Sequence, residues 1–128
     1  MNQTSKEELR MYSLVLYQLS GIQAGIQAGH SWVEGKNHGI DKDLYDEWSL
    51  NHKTVMVMNG GSSSMLMQHM LNLEELGFKI VYFREPDLYN QIVSFSFIAS
   101  SDDFNSDESG VYTPAGLYLS KLQFHGGR

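Results

Sequence analysis

Ser20-Gly-Ile-Gln-Ala-Gly-Ile-Gln-Ala-Gly-His-Ser-Trp-Val-Glu34 repeats the tetrapeptide Gly-Ile-Gln-Ala without interruption. Residues four apart stack on one face of an α-helix, so the spacing predicts a helix over residues 20–35. Three stripes result. Gly21, Gly25 and Gly29 form a ridge without side chains, Ile22, Ile26 and Val33 form an apolar face, and Gln23, Gln27, His30 and Glu34 form a polar one. Each interior glycine costs about 1 kcal/mol of helix propensity relative to alanine, so at least two of them need a reason. Close packing of the helix onto a sheet is the expected reason; the other is close approach by a ligand or a second backbone. The polar stripe reads equally as a hydrated helix face or as part of a site.

Outward from the helix, residues 11–19 form a nearly continuous apolar run with β-forming members, as in a central strand covered on both faces. Gly35 to Gly39 reads as a turn, and Asp41 as the N-cap of a short helix through Leu50, with Leu44 and Trp48 on one face. Lys53 to Met58 reads as a second strand and Asn59-Gly60-Gly61 as a turn. Ser62 to Ser64 offer N-caps for a third helix, in which Leu66, Met70 and Leu73 make an apolar stripe, Met65 and Met67 read as further core filler, and Gly77 suits the C-terminal cap. Lys79 to Phe83 is a third strand stopped by Pro86. Gln91 to Ala99 alternates, with Val93, Phe95 and Phe97 toward a core and Ser94 and Ser96 toward water or a site. Residues 100–112 have the composition of a flexible acidic loop, and Thr113-Pro114 starts a last short helix with Leu117 and Leu122 inward. This order predicts one α/β domain over residues 1–128, three-layered (α/β/α) around a small mixed four-stranded sheet.

Composition narrows the function classes. The 128 residues hold no cysteine, which removes disulfides, thiolate nucleophiles and sulfur-ligated metal. No apolar run approaches the roughly 20 residues of a membrane helix, and the start of the chain is too charged for a secretory signal; a cytoplasmic protein without membrane association is expected. The formal net charge is −6, against the basic footprint of a general nucleic-acid binder. Asp102, Asp103, Asp107 and Glu108 carry four of those charges in one stretch and leave −2 for the rest. RNA is therefore disfavoured as a partner without being excluded.

Chemistry has two candidate seats. One is the polar stripe; the other is Phe83-Arg-Glu-Pro-Asp-Leu-Tyr-Asn-Gln91, at the C-terminal end of the third strand, where ligands gather in open α/β sheets. A carboxylate there has the chemistry of a general base, although Asp87 and Asn90 also suit a plain turn. Asn59-Gly-Gly-Ser-Ser-Ser64 lacks the lysine of a phosphate-binding loop. Histidines 30, 38, 52, 69 and 125 show no metal-ligand spacing, and no Gly-x-Ser-x-Gly nucleophile elbow is present. No metal and no cofactor is expected.

Leu16 to Val33, with Gln27 three residues before His30, resembles the first strand and helix of type II peptidyl-tRNA hydrolases, which read there as a strand followed by Gly-Lys-x-Ala-x-Gln-x-x-His-Ala. The likeness continues at Trp48, at Lys53 to Met58 and at Gly77-Phe-Lys-Ile-Val-Tyr-Phe-Arg-Glu85, and spans residues 11–99. Glu85-Pro-Asp-Leu-Tyr-Asn-Gln-Ile-Val93 is closer to a divergent bacterial and phage branch with Glu-Pro-Asp in this loop. The resemblance implies metal-free hydrolysis of the ester between a peptide and the tRNA 3′ end by an activated water. It also exposes departures. The family lysine falls at Gln23, its loop aspartate at Glu85 and its threonine at Val93, while Gln27 and His30 match.

Two readings follow from that resemblance. In the first, Glu85 is the base, Gln23, Gln27 and His30 complete the catalytic set, and Ser20, Asp87 and Asn90 shape the substrate pocket of a weakened hydrolase. In the second, the fold is kept as a non-catalytic module that binds a partner through the pocket or the glycine-rich helix. The implied partners are tRNA or peptidyl-tRNA, and relatives of this fold often pair as homodimers.

Overall fold

A computed structural model describes residues 7–126 of the chain. The start of the chain, read above for a secretory signal, lies mostly outside those residues. In chain order the elements are β1 (Leu9–Val15), α1 (Gly21–Glu34), α2 (Lys42–Glu47), β2 (Thr54–Asn59), α3 (Ser63–Glu75), β3 (Val81–Glu85), β4 (Gln91–Ser100), α4 (Ser101–Phe104) and α5 (Pro114–Ser120). The protein is mixed α/β around one four-stranded sheet of order β2-β1-β4-β3. β1 runs parallel to β2, and β4 runs antiparallel to both β1 and β3. β1 and β3 therefore point the same way, and their C-terminal ends share one edge of the sheet.

Alternation along the two central strands distributes the core between the sheet's faces. On one face Tyr12, Leu14 and Leu16 join Val93, Phe95 and Phe97, covered by Leu66, Met70 and Leu73 of α3 and by Leu119 of α5. On the other, Val15 packs against Ala24 and Ala28 of α1, and Met11 and Ile98 pack with Ile40 and Trp48. The register pairs Tyr12 with Phe97 and Leu14 with Phe95, and the Tyr12 and Phe97 rings stack at 5.4 Å. The outer edge of β2 is covered by residues 123–125: Met58 bridges Phe124, the Asn59 N–H donates to the Gln123 carbonyl at 2.7 Å, and the His125 N–H to the Val57 carbonyl at 3.0 Å. Among the described residues no helix is long and apolar enough to cross a membrane.

Several local expectations need correction. α1 buries Ala24, Ala28 and Ser31, while Ile22, Ile26 and Val33 are 79%, 53% and 55% exposed. A Cβ built on Gly21, Gly25 or Gly29 meets nothing within 4 Å, so packing on the sheet does not explain the glycines. The sheet takes the face of Ala24, Ala28 and Ser31, whose small side chains pack against Val15 of β1 and bond Ser96 of β4. Ser94 and Ser96 do not face water; both are fully buried beneath α1, where Ser94 bonds the Gln27 carbonyl and Ser96 the Ser31 hydroxyl. β1 starts at Leu9 and ends at Val15, and the chain turns at Leu16–Leu19, where the Leu19 N–H reaches the Leu16 carbonyl at 3.3 Å.

The remaining differences are smaller. Gly35–Gly39 continues α1 as a π-helical turn, and Trp48–His52 extends α2 in the same way. Met65 and Met67 are 55% and 39% exposed and are not core filler. Leu117 points outward, and Leu119 takes the buried place on α5. The acidic segment opens with a helical turn, α4, whose Ser100–Asp103 capping box and buried Phe104 fix it to the end of β4.

Candidate active site

The site is assembled where the first half of α1 passes the C-terminal end of β3. α1 begins at Ser20, whose hydroxyl accepts from the Gln23 N–H at 3.2 Å while the Gln23 side-chain oxygen accepts from the Ser20 N–H at 3.2 Å. This reciprocal cap satisfies two otherwise unpaired donors and leaves the Gln23 side-chain NH2 as the only hydrogen-bonding group of that side chain outside the cap. Both residues are exposed.

The rotation of α1 on the sheet is set by a buried chain of hydroxyls. Trp32 Nε1–H donates to Ser13 Oγ at 2.8 Å, Ser13 pairs with Ser96 at 2.7 Å, Ser96 with Ser31 at 2.5 Å, and the Ser31 hydroxyl donates to the Ala28 carbonyl at 2.7 Å. Because both ends are fixed, only one sense satisfies every member: Ser13 donates to Ser96 and Ser96 donates to Ser31. The chain starts and ends on α1 and passes through β1 and β4. One turn earlier the Ser94 hydroxyl donates to the Gln27 carbonyl at 2.7 Å. Buried polar groups left unmatched are costly, so these bonds hold α1 in one orientation.

That orientation carries Gln27 to Glu85. Gln27 Nε2 donates to Glu85 Oε2 at 2.8 Å, and the Gln27 side-chain oxygen lies 3.2 Å from His30 Nδ1. With the amide nitrogen committed to the carboxylate, its oxygen accepts, and His30 Nδ1 is the donor. In the neutral ring the proton is then on Nδ1, leaving Nε2 as a free base. The His30 ring is seated against Phe83 at 4.6 Å between centroids. The result is a row of three side chains, His30–Gln27–Glu85, with a proton acceptor at each end.

Glu85 is held from its other side as well. A register shift between Phe83 and Arg84 bends the end of β3, and Pro86 opens a single 3-10 turn for which the Glu85 side chain is the cap, its Oε1 accepting from the Asp87 N–H at 3.3 Å. The loop closes through the Asn90 N–H on the Glu85 carbonyl at 3.0 Å and Arg84 Nη1 on the Asn90 carbonyl at 3.2 Å. Tyr89 and Asn90 both adopt left-handed backbone, φ 57° and 60°, a conformation costing on the order of 1 kcal/mol for each non-glycine residue.

Of the residues singled out in the sequence, the structure thus joins Gln27, His30 and Glu85 directly. Gln23 shares their stripe one turn nearer the helix start, where its side chain bonds Ser20 and not Glu85. Asp87 and Asn90 are exposed and enter the loop through their backbone N–H groups. Val93 is fully buried on the α3 face, and the hydroxyl that neighbours Gln27 belongs to Ser94. Ser94 and Phe83 carry no assigned role in the sequence reading, although Ser94 is placed there toward water or a site and Phe83 opens the candidate loop; the alternation along β4 separates Val93 from Ser94 but does not say which face carries α1. Among the described residues Glu85 makes no ion pair, and no group of three or more His, Asp or Glu could hold a metal ion.

Chemically, the row offers two bases and one rigid amide at an open surface, a suitable frame for orienting a water. No protein-family model matches the sequence, and no curated protein matches it.

Proposed function

We propose that the chain is a tRNA-ester hydrolase of the type II peptidyl-tRNA hydrolase kind, acting in the cytoplasm with the three-layer fold of that family, and that its rate is reduced. The observation that carries the reading is the Gln27–Glu85 hydrogen bond with His30 joined to it, since these are the positions at which the sequence resembles that family's glutamine, aspartate and histidine. Glu85 takes a proton from a water, the oxygen of that water attacks the ester carbonyl, and the proton returns to the departing ribose oxygen, giving a free peptide and tRNA. Gln27 holds the carboxylate in place. His30 orients the water through its free ring nitrogen. Ser20, Asp87 and Asn90 border the substrate.

The reduced rate follows from Gln23. Its side-chain NH2 donates a hydrogen bond to the oxygen that becomes negative, but it has no charge, and its carbonyl is already occupied by the helix cap. Weakening an oxyanion donor costs on the order of 100- to 1000-fold in rate.

A second reading is favoured by one observation. The exposed Ile22, Ile26 and Val33, beside glycines whose Cβ positions are empty, suit a binding module that receives a partner on α1, a second copy of the chain included. Incubation with an N-blocked aminoacyl-tRNA separates the two. The hydrolase reading predicts ester release that Glu85→Ala abolishes and Gln23→Lys accelerates. Absence of release from all three proteins overturns it in favour of the binding module.

A further inference from the structure

Tyr89 stands in the loop that follows Glu85 and is fully exposed, more so than any other large apolar or aromatic residue among the described residues. Its backbone is left-handed, with φ 57° and ψ 30°, and so is that of Asn90, with φ 60°. Glycine, asparagine and aspartate meet such a demand at little cost. A bulky tyrosine meets it badly, because its Cβ crowds the following carbonyl. The loop nevertheless holds one course, through the Asn90 N–H on the Glu85 carbonyl at 3.0 Å, Arg84 Nη1 on the Asn90 carbonyl at 3.2 Å and the Asp87 N–H on the Glu85 carboxylate at 3.3 Å. Strained residues persist where their surroundings over-determine them, and they gather at ligand sites. Tyr89 is unfavourable twice over, in its backbone and in a large ring left in water, and no contact inside the molecule offsets either.

On the hydrolase reading of this site, we infer that Tyr89 is a stacking platform for the nucleobase of the nucleoside whose ribose carries the ester. The Asn90–Glu85 bond folds the loop back and brings Tyr89 beside the Glu85 backbone. Arg84 stands at the root of the same loop. It makes no ion pair among the described residues, and its one bond to Asn90 leaves other guanidinium N–H groups for a phosphate. Arg84, Glu85 and Tyr89 thus offer a guanidinium, a base and a flat ring to the three parts of a tRNA 3′ end: phosphate, ester and nucleobase. An exposed tyrosine alone also suits a protein partner; the unpaired guanidinium and the carboxylate of the site beside it favour the nucleotide.

Two measurements on the full chain test this, one with turnover and one without. In single-turnover release of an N-blocked amino acid from its tRNA, Tyr89→Ala should raise the enzyme concentration for half-maximal rate about tenfold or more, the scale of one lost base–aromatic stack. The maximal rate should be largely kept, and Tyr89→Phe should restore the wild-type value, since the ring and not the hydroxyl stacks. An unchanged half-saturating concentration in Tyr89→Ala overturns the inference and leaves the hydrolase reading standing.

Without turnover, the fluorescence of Tyr89→Trp should be quenched by uncharged tRNA ending in adenosine and not by the same tRNA with an abasic 3′-terminal nucleotide. The wild type, whose Trp32 and Trp48 pack in the core, supplies the background. Equal quenching by the two tRNAs, or none by either, overturns the stacking even where ester is released, and leaves a protein partner as the occupant of the ring. Quenching that needs the base, with no ester released by any of the proteins, supports the stacking and overturns the hydrolase reading instead.

Discussion

Replacing Gly25 and Gly29 together by alanine should stabilise the protein. Both lie inside α1 with no left-handed backbone, and a Cβ at either position has no neighbour within 4 Å. The native contacts therefore stay as they are, and the change acts through helix propensity and the reduced freedom of the unfolded chain. At about 0.5–1 kcal/mol per site, the pair is worth roughly 1–2 kcal/mol, which for a domain of this size is about 4–8 °C in Tm. Thermal and urea unfolding followed by circular dichroism measure it. Gly35→Ala is the internal contrast, because there a Cβ falls 2.9 Å from Ile40 Cδ1 and 3.2 Å from Val81 Cγ2; it should gain nothing or lose stability. A double variant less stable than the wild type would refute the reasoning, since it would mean that the glycine ridge is covered within the molecule. A stabilised variant that has lost binding or turnover would show that the ridge is kept open for something outside it.

Other perturbations test other parts of the account. Gly116→Ala forces a Cβ to within 2.6 Å of the Asp103 carbonyl and should cost about 1–3 kcal/mol in urea unfolding, with α4 and α5 losing hydrogen-exchange protection first. Ser96→Ala cuts the hydroxyl chain at its middle and leaves Ser13 without its acceptor and Ser31 without its donor; a loss of about 1–3 kcal/mol is expected, and a loss below about 0.5 kcal/mol would show that the chain does not fix α1. The stability of the wild type should decline as pH drops below the ordinary histidine range, and His69→Asn should flatten part of that slope, both read from urea midpoints across pH.

The elements were legible in the sequence because they depend on local chemistry. Asp41, Ser62 and Thr113 cap helices as their side chains suggest, and the alternation from Gln91 survives as β4. The facing of α1 was not legible. Hydrophobicity points to Ile22, Ile26 and Val33 as the inner face, but closeness of approach decided instead for Ala24, Ala28 and Ser31. Ser94 and Ser96 were misplaced for a related reason: polar side chains alternating with Phe95 and Phe97 suggest a wet face, unless polar groups of a covering helix lie above to pair with them. The Gln27 carbonyl and the Ser31 hydroxyl are those partners, a match visible only in three dimensions. Of the site, the pairing of the polar stripe with Glu85 followed from the shared direction of β1 and β3. The His30–Gln27–Glu85 row and the capped Gln23 followed from side-chain rotamers that no spacing rule contains.

The central claim is that Glu85, held by Gln27, is the base of a tRNA-ester hydrolase. Single-turnover release of an N-blocked amino acid from its tRNA, with wild type and Glu85→Gln in excess over substrate, tests it most directly. The account predicts measurable release by the wild type and a loss of about 100-fold or more in Glu85→Gln. Equal rates in the two proteins, or no release by either, would contradict it.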